Sequence, residues 1–384
     1  MHFAQFDIAG FLRDHWQKRP LLIRNPWANW VNPLEPDELA GLACDEPGIE
    51  SRIITRRSNG LAMESGPFPE SRFAQAETAP WTLLVQAVDH HVPEVAALIA
   101  PFRFVPDWRI DDVMVSYASD GGGVGPHFDQ YDVFLVQGLG RRRWRVGPRC
   151  GADTPLLPHD DLRLIADFDA TGDWVLEPGD ILYVPPGFAH DGVAVGDDCM
   201  TYSVGFRAPS RGDLIDGWSA HLVDAAAEDD RYTDPDLAEQ AHPGEITAAA
   251  LSRLHAMATA AMADSAAFAR WFGAYSSLPK YADADWRPEQ PTSAQEVQAS
   301  LKTGLSLLRN PASRFAFVRQ EDAAVLLFAD GQCFDCAGDA AVLAENLCAQ
   351  AETAPPVQWA QSMPVVRLIA ALINQGSVTF EDAD

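Results

Sequence analysis

Six short runs rich in Val, Ile, Tyr and Phe, each followed by a Gly- or Pro-containing turn, constrain the fold of this chain most strongly. They occupy residues 113–117, 132–137, 142–146, 174–176, 181–184 and 200–206. Branched and aromatic side chains suit a pleated sheet, and many short strands at this spacing are typical of a β-sandwich or barrel. The sequence therefore predicts such a β structure between about residues 110 and 207.

The segments on either side of the predicted strands show helical patterns. Helices are expected near residues 7–16, 36–42 and 81–98, and again after Pro209, around 214–222 and 251–257. The proline-rich segment 276–293 predicts a linker. Beyond it, strands at 314–318 and 323–328 precede helices near 340–348 and 365–374, which fits a small α+β domain of the winged-helix type.

The charge of the chain limits its partners. The 384 residues carry a formal net charge of −27, which disfavours nucleic acid and anionic membranes because phosphate binding needs clustered Lys and Arg. Residues 291–384 hold five Lys/Arg against eleven Asp/Glu, so DNA binding by a winged helix is not expected. A basic protein is the partner that this charge favours, although acidity can also serve solubility alone.

No signal peptide is expected from the first residues, and no uninterrupted apolar run is long enough to span a membrane. Its six cysteines are scattered, which indicates reduced thiols and a cytoplasmic protein. Cys333 and Cys336 form a C-x-x-C pair without a second ligand pair nearby, so a structural zinc site is not expected. The role of these two cysteines stays open.

His127 and Asp129 are the first candidate metal ligands. On a strand, alternation would point both side chains to the same side. One imidazole and one carboxylate, joined by a second imidazole, form the facial triad of non-haem iron(II) oxygenases. A lone H-x-D triplet occurs often by chance, so the second histidine needs a context of its own.

His190 has such a context. Residues 177–190 read EPGDILYVPPGFAH: a tight turn, an apolar strand and a Pro-Pro-Gly bend that presents the histidine. The spacing of Gly179, Pro185, Gly187 and His190 resembles the second cupin motif, and Gly121 stands six residues before His127, as in the first. We therefore expect His127, Asp129 and His190 to bind the metal, with a chelating 2-keto acid and dioxygen at the open positions.

Arg142 is the candidate anchor for the distal carboxylate of the keto acid. On the strand that follows Gly140, Arg142 shares one face with Trp144 and Val146, whereas Arg143 lies on the other. Because Trp and Val mark the inward face, Arg142 is expected inside the barrel, where a guanidinium can bind a carboxylate through two hydrogen bonds. The alternative is a solvated basic strand.

Other candidate site residues carry weaker signals. Ser116 and Ser203 lie on predicted strands and are candidates for contact with the cosubstrate. Tyr131, Gly123 and Asp191 are candidates for contact with the substrate, and Asp191 could also support its neighbour His190. The glycine-rich segment 121–125 fails the spacing of a dinucleotide fingerprint and predicts a mobile loop at the mouth of the metal site.

Residues 106–147, the EPGDILYVPPGFAH segment and YSVGFRAP at 202–209 resemble the bacterial ribosomal oxygenases of the JmjC/cupin superfamily. The N-terminal HWQKRPLLIRN segment and the WFG triplet at 271–273 fit the same family. The resemblance covers most of the chain and is weakest after the linker.

The resemblance implies an α+β fold: a double-stranded β-helix (the cupin/JmjC jelly-roll barrel), a helical dimerisation region and a C-terminal winged-helix-like domain. The corresponding domains are residues 1–208 with an N-terminal helical extension, 209–278 and 279–384. By position, the metal ligands fall on His127, Asp129 and His190, and the 2-oxoglutarate anchor on Arg142.

The activity that the resemblance implies is Fe(II)- and 2-oxoglutarate-dependent hydroxylation of an arginine side chain in ribosomal protein L16, by a homodimer. Oxidative decarboxylation of 2-oxoglutarate with dioxygen would give succinate and carbon dioxide. Three alternatives stay open: a JmjC-type N-methyl-lysine demethylase, a non-redox metal-binding cupin, and a binding module that has lost catalysis. The intact triad and Arg142 argue against the last.

Overall fold

The computed structural model describes residues 1–44, 49–58, 60–74, 79–227 and 229–381. Contacts divide the chain into two compact units, Met1–Ala208 and Pro209–Asp384. The helices of the first unit are α1 (Ile8–Asp14), α2 (Pro36–Leu42), α3 (Ser71–Ala74) and α4 (Pro93–Ala96). Its strands are β1 (Leu21–Ile23), β2 (Ser51–Arg57), β3 (Gly60–Ser65), β4 (Trp81–Val85), β5 (Ile110–Ala118), β6 (Asp132–Leu139), β7 (Arg142–Arg149), β8 (Gly172–Leu176), β9 (Ile181–Val184), β10 (Phe188–Ala194) and β11 (Cys199–Phe206).

Two antiparallel sheets form the barrel of the first unit. One has eight strands in the order β1-β9-β6-β11-β5-β4-β2-β3, and the other has three in the order β10-β7-β8. This arrangement confirms the predicted double-stranded β-helix. All six runs identified in the sequence are strands, and β10 is a further strand where the sequence indicated only a bend presenting His190.

Alternation along the strands separates two cores. Val133 and Leu135 of β6 pack with Trp144, Val146 and other side chains in one cluster. Their neighbour Phe134 belongs to a second cluster, which includes aromatic residues of the N-terminal helices. The N-terminal segment therefore covers the outer face of the large sheet, and the inner face remains for the site.

The predicted helix at 81–98 is wrong. Residues Trp81–Val85 form β4, which pairs with β2 and β5, and only short helical turns follow at Val88–His90, Pro93–Ala96 and Ala97–Phe102. Four of the five β4 residues are buried. In a short, mostly apolar run, the sequence has no periodicity that distinguishes a buried strand from a helix. The neighbouring strands supply the backbone hydrogen bonds of β4.

The second unit begins with helices and ends in a small α+β structure. Its helices are α5 (Arg211–Ala225), α6 (Ala248–Ala260), α7 (Ser265–Ser276), α8 (Ala294–Thr303), α9 (Asp339–Ala349) and α10 (Met363–Asn374). Its strands are β12 (Leu307–Arg309), β13 (Phe315–Arg319), β14 (Val325–Ala329), β15 (Gln332–Cys336), β16 (Glu352–Thr353) and β17 (Val378–Phe380). These strands form two three-stranded sheets, β16-β12-β17 and β13-β14-β15. The boundary expected at 278/279 lies inside this unit and stays a prediction.

Cys333 and Cys336 both lie on β15, a strand that the sequence patterns did not indicate. Cys333 is exposed and Cys336 is buried in the core, and both thiols are free. Within the described ranges, no helix is both long enough and apolar enough to cross a membrane.

Candidate metal centre and cosubstrate pocket

The structure brings the three predicted metal ligands together. Asp129 Oδ2 lies 3.8 Å from His127 Nε2 and 3.6 Å from His190 Nε2, and all three ligand atoms lie within 4.8 Å of one another. Adjacent donors on an octahedral ion with bonds of about 2.1 Å lie about 3.0 Å apart. Asp129 Oδ2 therefore needs to approach each imidazole nitrogen by less than about 1 Å to hold such an ion with it.

Backbone hydrogen bonds fix the positions of the three ligands. His127 and His190 form an antiparallel bridge, in which each N–H donates to the carbonyl of the other, at 3.0 and 2.8 Å. The N–H of Gly187 donates to the carbonyl of Asp129 at 2.6 Å. The segment that carries His127 and Asp129 lies between β5 and β6, outside the strands, and these hydrogen bonds attach it to β10 and to the turn before it.

The hydrogen bonds of the two imidazoles suit metal binding. His127 Nδ1 lies 2.9 Å from the carbonyl of Gly125, and His190 Nδ1 lies 3.0 Å from the carbonyl of Phe188. Because a carbonyl only accepts, each Nδ1 carries the proton and each Nε2 keeps its lone pair. Burial, followed by the charge of His127, lowers the pKa of His190 to about 4, so His190 is neutral near pH 7.

Arg142 lies on the inner face of β7, as predicted. Arg142, Trp144 and Val146 are 3%, 5% and 3% exposed, whereas Arg143 is exposed and pairs with Asp173. Nη2 of Arg142 is buried without a hydrogen-bond partner in the part of the chain that the structure describes. A buried, unpaired cationic donor is costly, so this atom fits a site that is completed by an anion.

The metal centre and Arg142 share one face of the small sheet. In the β7–β10 pairing, His190 lies opposite Val146 and Ala194 lies opposite Arg142, and directly opposite residues point to the same side. Along the strand, four residues separate the position of His190 from that of Arg142, a distance of about 13 Å. The Trp144 ring lies between them, with its centroid 5.9 Å from the His190 ring and 5.8 Å from Cζ of Arg142.

Ser116 and Ser203 lie on the same interior. Cys199, Thr201 and Ser203 alternate along one face of β11, and Cys199 contacts Arg142. Ser116 lies opposite Thr201 and its hydroxyl donates to the carbonyl of Thr201 at 3.5 Å. Both serines are buried, at 4% and 9% exposed. The sequence patterns did not identify Cys199, although its spacing from Ser203 would place both residues on one strand face.

Tyr131 and Asp191 differ in their relation to the metal centre. Tyr131 exposes 43% of its surface, yet burial of its hydroxyl, followed by the charge of Asp129, raises its pKa. Asp191 lies on the face of β10 opposite to His190, where its carboxylate accepts a hydrogen bond from Arg145. Asp191 therefore has its ionic partner outside the ligand set.

The glycine-rich segment is attached to β10 by two hydrogen bonds, from Gly121 N–H to the Ala194 carbonyl at 3.1 Å and from Ala194 N–H to the Gly122 carbonyl at 2.9 Å. A side chain at Gly123 would place Cβ 2.4 Å from the carbonyl oxygen of Gly192. The sequence predicts a mobile loop here, whereas the structure shows a packed segment in which glycine permits close backbone contact.

Two family models match this chain: a JmjC domain at residues 97–214 and a ROXA-like winged helix at residues 260–379. The chain is also 40% identical over 373 residues to the ribosomal protein uL16 3-hydroxylase of Escherichia coli K12, and the match covers 97% of each chain. This chain belongs to the JmjC-domain ribosomal oxygenases. It is 43% identical over 228 residues to the probable ribosomal oxygenase of Haemophilus influenzae, which covers 59% of this chain and 54% of that relative.

Solved structures agree with this assignment. An X-ray structure of Escherichia coli YcfD superposes with a TM-score of 0.89 at 38% identity, covering 99% of this chain and 100% of that one. The complex of that ribosomal oxygenase with cobalt and 2-oxoglutarate gives a TM-score of 0.87 at 36% identity, covering 99% of each chain. The predicted family and the barrel and winged-helix folds are confirmed, and the chain is a 2-oxoglutarate-dependent oxygenase.

Proposed function

We propose that this enzyme uses Fe(II) and 2-oxoglutarate to hydroxylate an arginine side chain of ribosomal protein L16, also called uL16, giving succinate and carbon dioxide. The observation that carries the proposal is the joint presence of the His127–Asp129–His190 cluster and the inward Arg142 in one barrel. The relative that is 40% identical supports the ribosomal substrate through its name, ribosomal protein uL16 3-hydroxylase.

In this proposal, His127, Asp129 and His190 hold Fe(II). Two neutral imidazoles and one carboxylate leave the divalent centre with a net charge of +1, which attracts the carboxylate and keto group of 2-oxoglutarate. When bound, the iron supplies activation of dioxygen coupled to decarboxylation of the keto acid. The His127–His190 backbone bridge holds the two imidazoles in place.

Arg142 holds the distal carboxylate of 2-oxoglutarate, and Ser116 and Ser203 are placed to contact the same molecule. The buried Nη2, for which the described residues provide no hydrogen-bond partner, supports this role for the arginine. The two serines supply hydroxyl groups on the same interior; the Ser116 hydroxyl, which donates to the Thr201 carbonyl in this structure, would rotate to donate to a carboxylate. Arg142 therefore offers a full positive charge to the distal carboxylate.

The substrate is proposed to approach beside Tyr131 and the Gly123 segment, which flank the ligand-bearing residues 127–129. The net charge of −27 favours encounter with a basic ribosomal protein, which this enzyme would meet in the cytoplasm. Asp191 is paired with Arg145 on the other face of β10, so its role is to orient that arginine.

A homodimer formed through the helices after the barrel is part of the proposal. Helices α5 and α6 and the segments that follow each of them expose large apolar side chains: Ile215, Val223, Leu237, Ile246, Leu251, Leu254, Met257 and Met262. Exposed large apolar side chains on neighbouring stretches of the chain are the kind that an association surface covers. A Leu251→Asp variant should sediment as a monomer at concentrations where the unmodified enzyme sediments as a dimer.

The deciding experiment incubates the enzyme, Fe(II), 2-oxoglutarate and full-length uL16 in air, with Asp129→Ala as the inactive control. Intact-protein and peptide mass spectra should show an addition of about 16 Da on a single arginine, which is the mass of one oxygen atom. No addition would contradict the proposal. Loss of about 14 Da from a methylated lysine would instead support the demethylase, an activity in the names of more distant relatives such as NO66 of Drosophila persimilis, 22% identical over 204 residues.

A further inference from the structure

The guanidinium of Arg142 has a buried sulfur partner. Nε of Arg142 donates to Sγ of Cys199 at 3.4 Å. Cys199 is 0% exposed and Arg142 is 3% exposed, so water does not compete for this contact. Sulfur is a weak acceptor, but in a dry interior a weak partner still matters, because a bare N–H carries a desolvation penalty.

The sulfur is held in turn by a polar group on the neighbouring strand. Gln137 Nε2 donates to Cys199 Sγ at 3.6 Å and to the carbonyl of Leu139 at 2.7 Å. Its Oε1 accepts from Thr201 Oγ1 at 3.1 Å. Gln137 is fully buried, and Thr201 is almost fully buried. These contacts join β6, β11 and β7 into one network that ends at the guanidinium of Arg142.

This network determines which edge of the Arg142 guanidinium is available to bind a carboxylate. An arginine can bind a carboxylate through Nε and Nη2, or end-on through Nη1 and Nη2. Because Nε of Arg142 is engaged by Cys199, the end-on edge is the one left, and Nη2 on that edge is the buried atom without a partner among the described residues. The Trp144 ring, 5.8 Å from Cζ, restrains the same group from its face.

We propose that Cys199 is a positioning residue for 2-oxoglutarate: its sulfur holds the guanidinium of Arg142 so that the end-on edge receives the distal carboxylate. The inference rests on the proposed role of Arg142. Cys199 does not touch the cosubstrate in this scheme, and its effect passes entirely through the arginine. The binding affinity for a keto acid without a distal carboxylate should therefore not depend on Cys199.

The test measures keto-acid binding to the full-length, Mn(II)-loaded enzyme by calorimetry without dioxygen. Cys199→Ala should weaken 2-oxoglutarate binding roughly three- to tenfold, the effect of losing one hydrogen bond. Binding of 2-oxobutyrate, which lacks the distal carboxylate, should not change. Cys199→Ser keeps an acceptor and should bind 2-oxoglutarate nearly as the wild type does, and Cys336→Ala is the matched control, at a buried cysteine in the core of the second unit.

A double-mutant comparison separates this inference from the assignment of Arg142. Arg142→Ala alone should weaken 2-oxoglutarate binding more than Cys199→Ala does, and adding Cys199→Ala to it should have no further effect. If Arg142→Ala binds 2-oxoglutarate normally, the anchor itself is misassigned. If Arg142→Ala weakens binding but Cys199→Ala does not, or if Cys199→Ala weakens 2-oxobutyrate equally, the positioning role is overturned. Cys199→Val, which removes the acceptor but fills the space, replaces the alanine variant if that one does not fold.

Discussion

Gly123→Ala should damage the metal centre through the backbone of β10. The new Cβ would lie 2.4 Å from the carbonyl oxygen of Gly192, against about 3.3 Å for a close carbon–oxygen contact. Relief therefore requires a displacement of about 0.9 Å. The opposing atom belongs to the backbone of a strand that pairs with β7, so it cannot rotate away as a side chain would.

The cost can be stated from this overlap. Forcing an extra methyl group against fixed backbone typically costs about 1–3 kcal/mol of stability. Gly192 is two residues from His190, so the displaced strand also moves a ligand, and a misplacement approaching 1 Å can lower turnover by the order of 100-fold. Both effects should appear together in this variant.

The assay compares urea unfolding midpoints and 2-oxoglutarate turnover in Gly123→Ala and in Gly151→Ala. A Cβ at Gly151 would meet no atom within 4 Å, so the control variant makes the same chemical change in open space. Wild-type stability and turnover in Gly123→Ala would refute the argument, because the packing of the glycine segment against β10 would then be incorrect.

Three further outcomes are expected. Asp129→Ala should abolish coupled turnover of 2-oxoglutarate without unfolding the barrel, because two neutral imidazoles bring no charge to a divalent ion; a near-normal rate in purified variant would contradict the triad. Arg142→Ala should weaken 2-oxoglutarate binding by about 2–5 kcal/mol, whereas the exposed Arg143→Ala should not, as measured by titration. In the metal-free protein, the pKa of His190 is about 4 against 6.5 in the unfolded chain. Between these two pH values the unfolded chain binds a proton that the folded chain does not, so the free energy of unfolding should fall by up to about 3 kcal/mol as pH drops from 6.5 to 4. Chemical unfolding with chelator present should show that this free energy depends less steeply on pH in His190→Gln.

The parts of the site that sequence could predict are those governed by local alternation. Arg142, Trp144 and Val146 share a face because strand side chains alternate, and the structure buries all three while exposing Arg143. The association of His127 and Asp129 with His190 followed from two motifs in order, and the structure brings these residues together.

The parts that sequence could not predict depend on partners far along the chain. Residues Trp81–Val85 form a strand because β2 and β5 pair with it, and nothing within the five residues excludes a helix. The contact between Arg142 and Cys199 joins residues 57 positions apart. Strand β10 could not be predicted for the same reason, because it is defined by its pairing with β7, which forms only when the barrel closes.

The backbone bridge between His127 and His190 has a consequence for how the enzyme acquires its metal. The two ligands are separated by 63 positions, the difference between 190 and 127, so the bridge is a long-range contact that forms only after the intervening strands have paired. During synthesis, the segment with His127 and Asp129 leaves the ribosome well before the segment with His190. We therefore expect metal insertion to be a late event on an already closed barrel, unlike in small domains that fold around their ion, and a chelator should strip the ion while the fold persists.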